Sequence, residues 1–320
     1  MAGKLSTLAP RVVAKLQRHL FVRCMRTIPR TVLACMRLRA RFLPRNLSTY
    51  SVAGGLGDEL MIWGVLQSFA AQRPSARVTF HSRFAEVLKQ VPSTIHVIPY
   101  DSGSLPKDSK GLGYVGKTQL SINEQMASRL GLVPDEYPIP LPSFPRDAPG
   151  GKYPSTGRII VIQPVASAWT PNKQWPLAYW TTLVESLPPD ATVVELGQSS
   201  FFPAPPRHPR FVSIAGSTSV PAYLAAISHA TVFLGPPSSG MHVAHAYGVP
   251  SVIIVGGYEA PVYPYPRAIQ LHTDISCSPC WLCSACPYDR ACLRNITPEV
   301  VLKAVLAQLE TVGSKGSSHA

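Results

Sequence analysis

The sequence predicts an α/β protein built from two parallel-sheet domains, because two separate segments each begin with a strand, a loop and a helix. In the first segment a glycine loop at residues 54–57 follows a short strand, a helix begins at Asp58, and a second strand occupies residues 77–80. The same pattern restarts at residue 158. Two such halves imply two Rossmann-like, doubly wound domains that face a cleft.

The length and composition of the chain also favour two folded domains. At 320 residues the chain exceeds what one hydrophobic core usually serves. A hydrophobic content of 46% with 15% charged residues indicates large buried sheets and excludes a wholly disordered or fibrous chain. No run of about 18 apolar residues is present for a membrane-spanning helix, and the N-terminus lacks the compact apolar run of a secretory signal.

A stretch rich in Pro and Gly at residues 134–157 separates the two halves. Neither a helix nor an interior strand tolerates that density of these residues. We therefore expect residues 47–133 to form an N-terminal domain, residues 134–157 to form a linker, and residues 158–320 to form a C-terminal domain.

Residues 1–46 are predicted to form a basic, amphipathic helical arm. Eleven basic residues precede the first acidic residue, Asp58, and account for most of the formal net charge of +13. Apolar residues such as Leu16 and Leu20 share one side of a helical wheel and most basic residues lie opposite, which is typical of a helix on an anionic membrane surface. A transit peptide, a nucleic-acid-binding arm and an unstructured solubilising tail are the alternatives.

The most informative motif is the turn at residues 236–240, between predicted strands at residues 232–234 and 252–255. Gly248 and Pro250 end the short helix that follows the turn. Because the turn carries almost no side-chain bulk, backbone N–H groups at the start of that helix are free to face an anion such as phosphate. An ordinary β–α turn kept small for packing is the alternative, and the turn alone does not separate the two.

Asp58 lies at or near the start of the first predicted helix, which extends to about residue 71. A carboxylate in that position can cap free N–H groups of the helix. A loop at the end of a strand also faces the ligand crevice of an α/β sheet, so the same carboxylate can act as a general base. Its position does not distinguish the two roles.

Four sequence blocks occur in a specific order along the chain: GGLGDEL at residues 54–60, NKQWPLAYW at 172–180, GSTSVPAYLAAI at 216–227 and SSGMHVAHAYGVP at 238–250. In these blocks the chain resembles the heptosyltransferases, glycosyltransferases that use ADP-heptose and are best known from lipopolysaccharide core assembly. The resemblance covers residues 50 to about 308. It implies the GT-B fold, in which the first domain binds the acceptor and the second binds the nucleotide-sugar.

The resemblance implies roles for individual residues. Asp58 matches an aspartate that deprotonates the acceptor hydroxyl for an inverting displacement at the anomeric carbon of the sugar. Lys173 matches a lysine that contacts the donor diphosphate, whose growing charge needs a cation and oriented N–H donors. His242 matches a histidine near the phosphates, and a histidine that merely caps or packs its helix is the alternative. The other donor-binding residues predicted are Gly55, Gly57, Ser238, Ser239, Gly240 and Met241.

The donor is predicted by family default to be ADP-heptose, and no metal is expected to be needed for transfer. The turn departs from the pattern of many family members, because Pro237 and Ser238 stand where an aspartate is common. The identity of the sugar and of the nucleotide therefore stays open.

Five cysteines cluster at Cys277, Cys280, Cys283, Cys286 and Cys292. A pair spaced by two residues is a common half of a tetrahedral metal site. The run is also similar to bacterial ferredoxin ligation, but the gap before Cys286 is two residues rather than three and no second cluster run follows.

The segment resembles that of heptosyltransferases that glycosylate autotransporter proteins, in which a four-cysteine finger holds iron. We expect a structural iron or zinc held by Cys277, Cys280, Cys286 and Cys292, with Cys283 as a rival ligand. Reduced packed cysteines and disulfides are the alternatives.

Together these features predict an inverting glycosyltransferase that moves a sugar from a nucleotide-diphosphate donor to a saccharide, lipopolysaccharide or protein acceptor. A cytoplasmic location is expected, with the arm holding the protein peripherally on the inner face of the membrane. Two alternatives come from other classes: a metal or iron–sulfur redox protein that uses the cysteine cluster, and a nucleic-acid-binding protein that uses the basic arm. No aromatic platform or base-reading motif accompanies the arm, so nucleic acid is not the expected partner.

Overall fold

The computed structural model describes residues 48–100, 106, 109–116, 120–132, 137–145, 157–166 and 170–316. The predicted basic arm lies outside the described residues, as does most of the predicted linker. In the parts of the chain that are described, no helix combines the length and the apolar character needed to cross a bilayer.

The N-terminal domain consists of β1 (Ser48–Ser51), α1 (Leu56–Gln72), β2 (Val78–Ser82), α2 (Ala85–Leu88), β3 (His96–Pro99), β4 (Lys110–Gly111) and α3 (Ile122–Arg129). Its four strands are all parallel and lie in the order β3-β2-β1-β4. Trp63 and Leu66 of α1 are fully buried, and the Trp63 ring stacks on Phe80 of β2 at a centroid distance of 6.4 Å. The predicted strand–loop–helix–strand opening is confirmed.

The C-terminal domain consists of β5 (Ile159–Ile162), a 3-10 turn (Pro171–Lys173), α4 (Leu177–Ser186), β6 (Thr192–Glu195), β7 (Phe211–Ser213), α5 (Val220–Ser228), β8 (Val232–Gly235), α6 (Ser239–Ala246), β9 (Ser251–Gly256), β10 (Ala268–His272), α7 (Ala291–Arg294) and α8 (Pro298–Gly316). Its six parallel strands lie in the order β7-β6-β5-β8-β9-β10. This is the strand order of a Rossmann sheet, and the order reverses between β5 and β8, where ligands of such sheets bind.

The two domains meet at the carboxyl ends of β1 and β8. Gly57 lies in the first turn of α1, and a β-carbon placed on it would be 3.3 Å from the backbone nitrogen of Ser239 at the start of α6. Helices α1 and α6 pack against each other behind this contact. Both sheets therefore direct their ligand-binding edges towards one cleft.

Residues 137–145, within the predicted linker, contain neither helix nor strand and bond to both domains. The Pro140 carbonyl accepts a hydrogen bond of 2.8 Å from the Trp63 indole, and the Pro142 carbonyl accepts one of 2.6 Å from the Tyr247 hydroxyl. Gly64 permits this close crossing, because a β-carbon there would lie 2.9 Å from a carbonyl oxygen of the segment.

Candidate active site

The turn at residues 236–240 lies at the reversal point of the six-stranded sheet, between the end of β8 and the start of α6. Ser238 has extended backbone dihedrals and precedes the helix, but its hydroxyl makes no capping hydrogen bond and is buried without a partner. The first N–H groups of any α-helix lack an intrahelical acceptor. The start of α6 therefore offers an anion the backbone donors and the favourable end of the helix dipole.

Packing accounts for the glycine inside this turn. A β-carbon on Gly240 would lie 2.6 Å from Oε1 of Gln163 and still closer to the ring of Phe233. The Gln163 side chain is held by the Tyr223 hydroxyl at 2.6 Å, and that hydroxyl also bonds to Ser239 Oγ at 3.0 Å. Close packing therefore explains why residue 240 is a glycine. This explanation does not exclude anion binding by the N–H groups at the start of α6.

Lys173 approaches the same turn from the other side. It ends the 3-10 turn, and its Nζ donates a 3.2 Å hydrogen bond to the Pro237 carbonyl. The ammonium also lies 2.6 Å from Oε1 of Glu259 and 4.8 Å from the centre of the Tyr258 ring. The lysine predicted to meet a diphosphate therefore contacts the turn predicted to bind one.

Neighbouring residues fix the position of Lys173. The Asn172 side-chain amide donates to the carbonyls of Leu282 and Ser284, at 2.6 and 2.8 Å, and so ties the turn to the cysteine segment, residues 277–292. Trp175 is buried, and its indole donates a 2.8 Å bond to the Ile296 carbonyl. These hydrogen bonds fix the position of the segment at residues 172–180, which contains Lys173.

Glu259 is a site residue that the sequence analysis missed. Its carboxylate is almost wholly buried, pairs with Lys173 and accepts a 3.3 Å hydrogen bond from the Tyr263 hydroxyl. One indication was available in the sequence: Glu259 is the first charged residue after strand β9, at the same sheet edge as the turn. Residues at that edge are expected to face the ligand.

Asp58 occupies the first turn of α1 on the opposite side of the cleft. Its Oδ2 accepts a 2.7 Å hydrogen bond from the Gly55 backbone N–H, so the capping role holds. Burial, with a smaller contribution from the Asp58 carboxylate, raises the pKa of Tyr114 and that of Tyr263. Tyr263 in turn bonds to Glu259, and Glu259 pairs with Lys173. Asp58 therefore lies near the residues that surround Lys173.

His242 is buried in the first half of α6, next to Gly57 of the N-terminal domain. Its Nδ1 lies 2.7 Å from the Tyr265 hydroxyl. Burial, with smaller contributions from His245 and Lys173, lowers the pKa of His242 to about 3. The imidazole is therefore neutral at pH 7, so it packs and hydrogen-bonds here and adds no positive charge. Met241, beside it, is also buried, and its backbone N–H is bonded to the Ser238 carbonyl.

Four of the five clustered cysteines line one cavity of about 400 Å³. These four are the predicted metal ligands Cys277, Cys280, Cys286 and Cys292, whereas Cys283 is exposed outside the cavity. All five are free thiols. Across the described parts of the chain, no group of three His, Cys, Asp or Glu side chains has the arrangement needed to hold a metal ion.

Two Rossmann-like domains that meet at a cleft, with a cation and a helix start on one side and a carboxylate on the other, have the arrangement of the GT-B fold. Residues 145–281 match the sequence profile of glycosyltransferase family 9 (heptosyltransferase). The resemblance to the heptosyltransferases is thereby confirmed, and the protein is a glycosyltransferase.

Solved structures of heptosyltransferases share this fold. The iron-containing dodecameric glycosyltransferase TibC from enterotoxigenic E. coli H10407 has a TM-score of 0.64 at 17% identity, over 83% of this chain and 78% of its own. TibC in complex with ADP-D-beta-D-heptose has a TM-score of 0.66 at 18% identity, over 84% and 77%. The E. coli ADP-heptose lps heptosyltransferase II has a TM-score of 0.61 at 16% identity, over 83% and 100%. A search of curated proteins by sequence finds no match.

Proposed function

We propose that the protein transfers a heptose from ADP-heptose to a saccharide-containing acceptor with inversion at the anomeric carbon. The contact between Lys173 and the turn before α6, across the cleft from Asp58, is the observation that carries this proposal. The structures with similar fold include one in complex with ADP-D-beta-D-heptose, which supports the choice of donor.

Each group in the site has a role in this reaction. The Asp58 carboxylate takes the proton from the acceptor hydroxyl, and that oxygen forms a bond to the anomeric carbon from the face opposite the leaving group. The bond from the anomeric carbon to the diphosphate oxygen breaks, and its electron pair leaves with ADP. Lys173 and the N–H groups at the start of α6 stabilise the negative charge that develops on the diphosphate.

Calorimetric titration with nucleotide-sugars tests the choice of donor. The panel is ADP-heptose, ADP-glucose, UDP-glucose and GDP-mannose, with ADP, UDP and GDP alone. We expect ADP-linked ligands to bind and Lys173→Met to weaken their binding by about ten-fold or more, since it removes a charge-assisted contact. Lys303→Met on α8, outside the site, is the matched control. Preferential binding of UDP- or GDP-linked sugars would overturn the donor assignment.

The proposed acceptor is a lipid-linked saccharide, and a protein acceptor is the alternative. A lipid-linked acceptor agrees with the basic N-terminal segment, whose charge suits an anionic membrane surface on the cytoplasmic side. The chain without residues 1–46 should then bind vesicles of anionic phospholipid more weakly than the full chain. Equal binding of the two chains in a flotation assay would refute this role for the arm.

We also propose that Cys277, Cys280, Cys286 and Cys292 hold a structural iron or zinc ion. Their common cavity supports the assignment, and thiolates are suitable ligands for both metals. The thiols are not arranged as a metal shell in this structure, so the site requires their side chains to turn towards a common centre. Elemental analysis of the purified protein should find about one metal ion per chain, lost in Cys280→Ser and retained in Cys283→Ser. Equal metal content in both variants would contradict this ligand set.

A further inference from the structure

A series of hydrogen bonds connects the end of β5 to the first turn of α6, at the reversal point of the six-stranded sheet. Its members are Gln163, which follows β5, Tyr223 of α5 and Ser239, the first residue of α6. The Tyr223 hydroxyl lies 2.6 Å from Oε1 of Gln163 and 3.0 Å from Oγ of Ser239. The series therefore ends at the helix start that is proposed to bind the donor diphosphate.

The orientation of the Gln163 amide follows from its second contact. Its Nε2 donates a 3.1 Å hydrogen bond to the Val165 carbonyl. Because a carbonyl oxygen only accepts hydrogen bonds, the amide nitrogen must face Val165 and Oε1 must face Tyr223. Since Oε1 is itself only an acceptor, the Tyr223 hydroxyl donates its hydrogen to it.

The position of the Ser239 hydrogen follows in the same way. A phenol carries one hydrogen, and that of Tyr223 is used at Gln163. Burial raises the pKa of Tyr223 well above its ordinary value, so the phenol keeps this hydrogen at pH 7. In the 3.0 Å contact between the two hydroxyls, Ser239 is therefore the donor and Tyr223 the acceptor. The Ser239 oxygen then has lone pairs to offer a ligand, and no hydrogen.

The chemistry of the Ser239 oxygen distinguishes two kinds of ligand group. Ser239 is half-buried at the start of α6, and a β-carbon on Gly57 of the other domain would lie 3.3 Å from its backbone nitrogen. A phosphate oxygen is negatively charged and has no hydrogen to give, so an oxygen that presents only lone pairs disfavours it. A hydroxyl group can donate to the same lone pairs.

We propose that Ser239 is a specificity-determining residue that accepts a hydrogen bond from a hydroxyl group of the donor, on its sugar or on its ribose. Tyr223 is the positioning residue that keeps the Ser239 hydrogen away from the diphosphate. This inference rests on the proposed donor site. Lys173 and the backbone N–H groups at the start of α6 bind the diphosphate there, and the Ser239 oxygen selects for a hydroxyl group next to it.

Calorimetric titration of Ser239→Ala tests this role with pyrophosphate, ADP and ADP-heptose. Pyrophosphate should bind with wild-type affinity, and ADP-heptose should bind about five-fold more weakly because one hydrogen bond is lost. Weaker binding of ADP assigns the hydroxyl to the ribose, and unchanged binding of ADP assigns it to the sugar. Ser186→Ala, at an exposed position on α4, is the control. Equal weakening of pyrophosphate and ADP-heptose, or unchanged ADP-heptose binding, would overturn the inference.

Replacing Tyr223 with Phe tests the order of the hydrogens. Without its acceptor, the Ser239 hydroxyl is free to donate to the diphosphate, so pyrophosphate should bind about ten-fold more tightly, as expected for a hydrogen bond to a charged group. The gain should vanish when Ser239→Ala is added, since both changes act through one hydroxyl. Tyr288→Phe, on an exposed tyrosine, is the control. Unchanged pyrophosphate affinity in Tyr223→Phe would show that Tyr223 does not hold the Ser239 hydrogen.

The proposed donor and the role of Ser239 can fail separately. If wild type binds pyrophosphate but neither ADP nor ADP-heptose, the proposed donor fails, and the pyrophosphate affinity of Tyr223→Phe still decides the order of the hydrogens. If wild type binds ADP-heptose, and Ser239→Ala and Tyr223→Phe bind all three ligands as wild type does, only the role of Ser239 fails. Thermal unfolding verifies that each variant is folded. Should Tyr223→Phe be unfolded, the comparison of pyrophosphate with ADP-heptose in Ser239→Ala decides.

Discussion

The Lys173 ammonium lies at the proposed donor site and is already paired with a carboxylate. The ammonium lies 2.6 Å from the Glu259 carboxylate, and both side chains are largely shielded from water. A buried pair of this kind restricts the lysine to one orientation, and the Pro237 carbonyl restricts it further. An incoming diphosphate therefore finds a cation whose position is fixed before binding, although Glu259 reduces the net charge it offers.

Replacing Lys173 with Met should destabilise the protein by about 3 kcal/mol, because it leaves the buried Glu259 carboxylate without a partner. Adding Glu259→Gln should restore most of the free energy of unfolding, since the uncompensated charge is gone. Binding of ADP should stay weak in the double variant. Denaturant unfolding and calorimetry measure the two effects separately. Recovery of ADP binding in the double variant would show that Lys173 does not contact the diphosphate.

His242 should make stability depend on pH. Its pKa is lowered to about 3 in the folded protein, whereas an unfolded histidine titrates near about 6.5. Between these values only the unfolded chain binds the proton, so the free energy of unfolding falls as the pH falls, by at most about 1.4 kcal/mol per unit. Above about pH 6.5 the full contribution is present.

Replacing His242 with Gln removes the group that binds this proton in the unfolded chain. Between pH 6.5 and pH 5 the slope of the free energy of unfolding against pH should therefore decrease by the equivalent of about one bound proton. Denaturant unfolding at a series of pH values gives the slope. His272→Gln, at an exposed position on β10, serves as the control. An unchanged slope in His242→Gln would contradict burial of a neutral imidazole.

At the level of secondary-structure elements, the turn at the start of α6 must satisfy two requirements, close packing and accessible N–H groups. The helix must pack closely on Phe233 of β8, which explains Gly240, and its first N–H groups must remain accessible from the cleft, which suits the absence of a side chain at Gly57. The sequence predicted this strand, turn and helix because apolar runs and the stop at Gly248 and Pro250 are local signals. It did not decide between packing and anion binding, because that decision depends on contacts between elements.

Gly240→Ala should destabilise the C-terminal domain by about 1–3 kcal/mol, the usual effect of adding a methyl group where no space exists. The added β-carbon would overlap the Phe233 ring and approach Gln163 Oε1 to 2.6 Å. Thermal unfolding should report the loss, and Gly113→Ala should unfold as wild type does. If Gly240→Ala were as stable as wild type, close packing would not be the reason for glycine at this position.

At the scale of the whole molecule, the sequence predicted two Rossmann-like domains because each begins with its own strand–loop–helix pattern. The contacts that join the domains could not be predicted in the same way. Tyr114 and Trp281 join the domains from two separate loops, and no periodic pattern marks them. The shared cavity of the four cysteines agrees with their spacing, although the thiols are not in a metal-binding arrangement.

The rate of ADP release from ADP-heptose in the presence of a saccharide acceptor, measured for wild type and Asp58→Asn beside the affinity of each for ADP, tests whether Asp58 is the base of the transfer reaction. We expect measurable turnover by wild type and a loss of about 100-fold or more in Asp58→Asn, since general bases typically contribute about 10²–10⁴-fold. We also expect equal affinity for ADP, because the donor site lies across the cleft on the C-terminal domain. Wild-type turnover in Asp58→Asn with intact ADP binding would show that Asp58 is not the base.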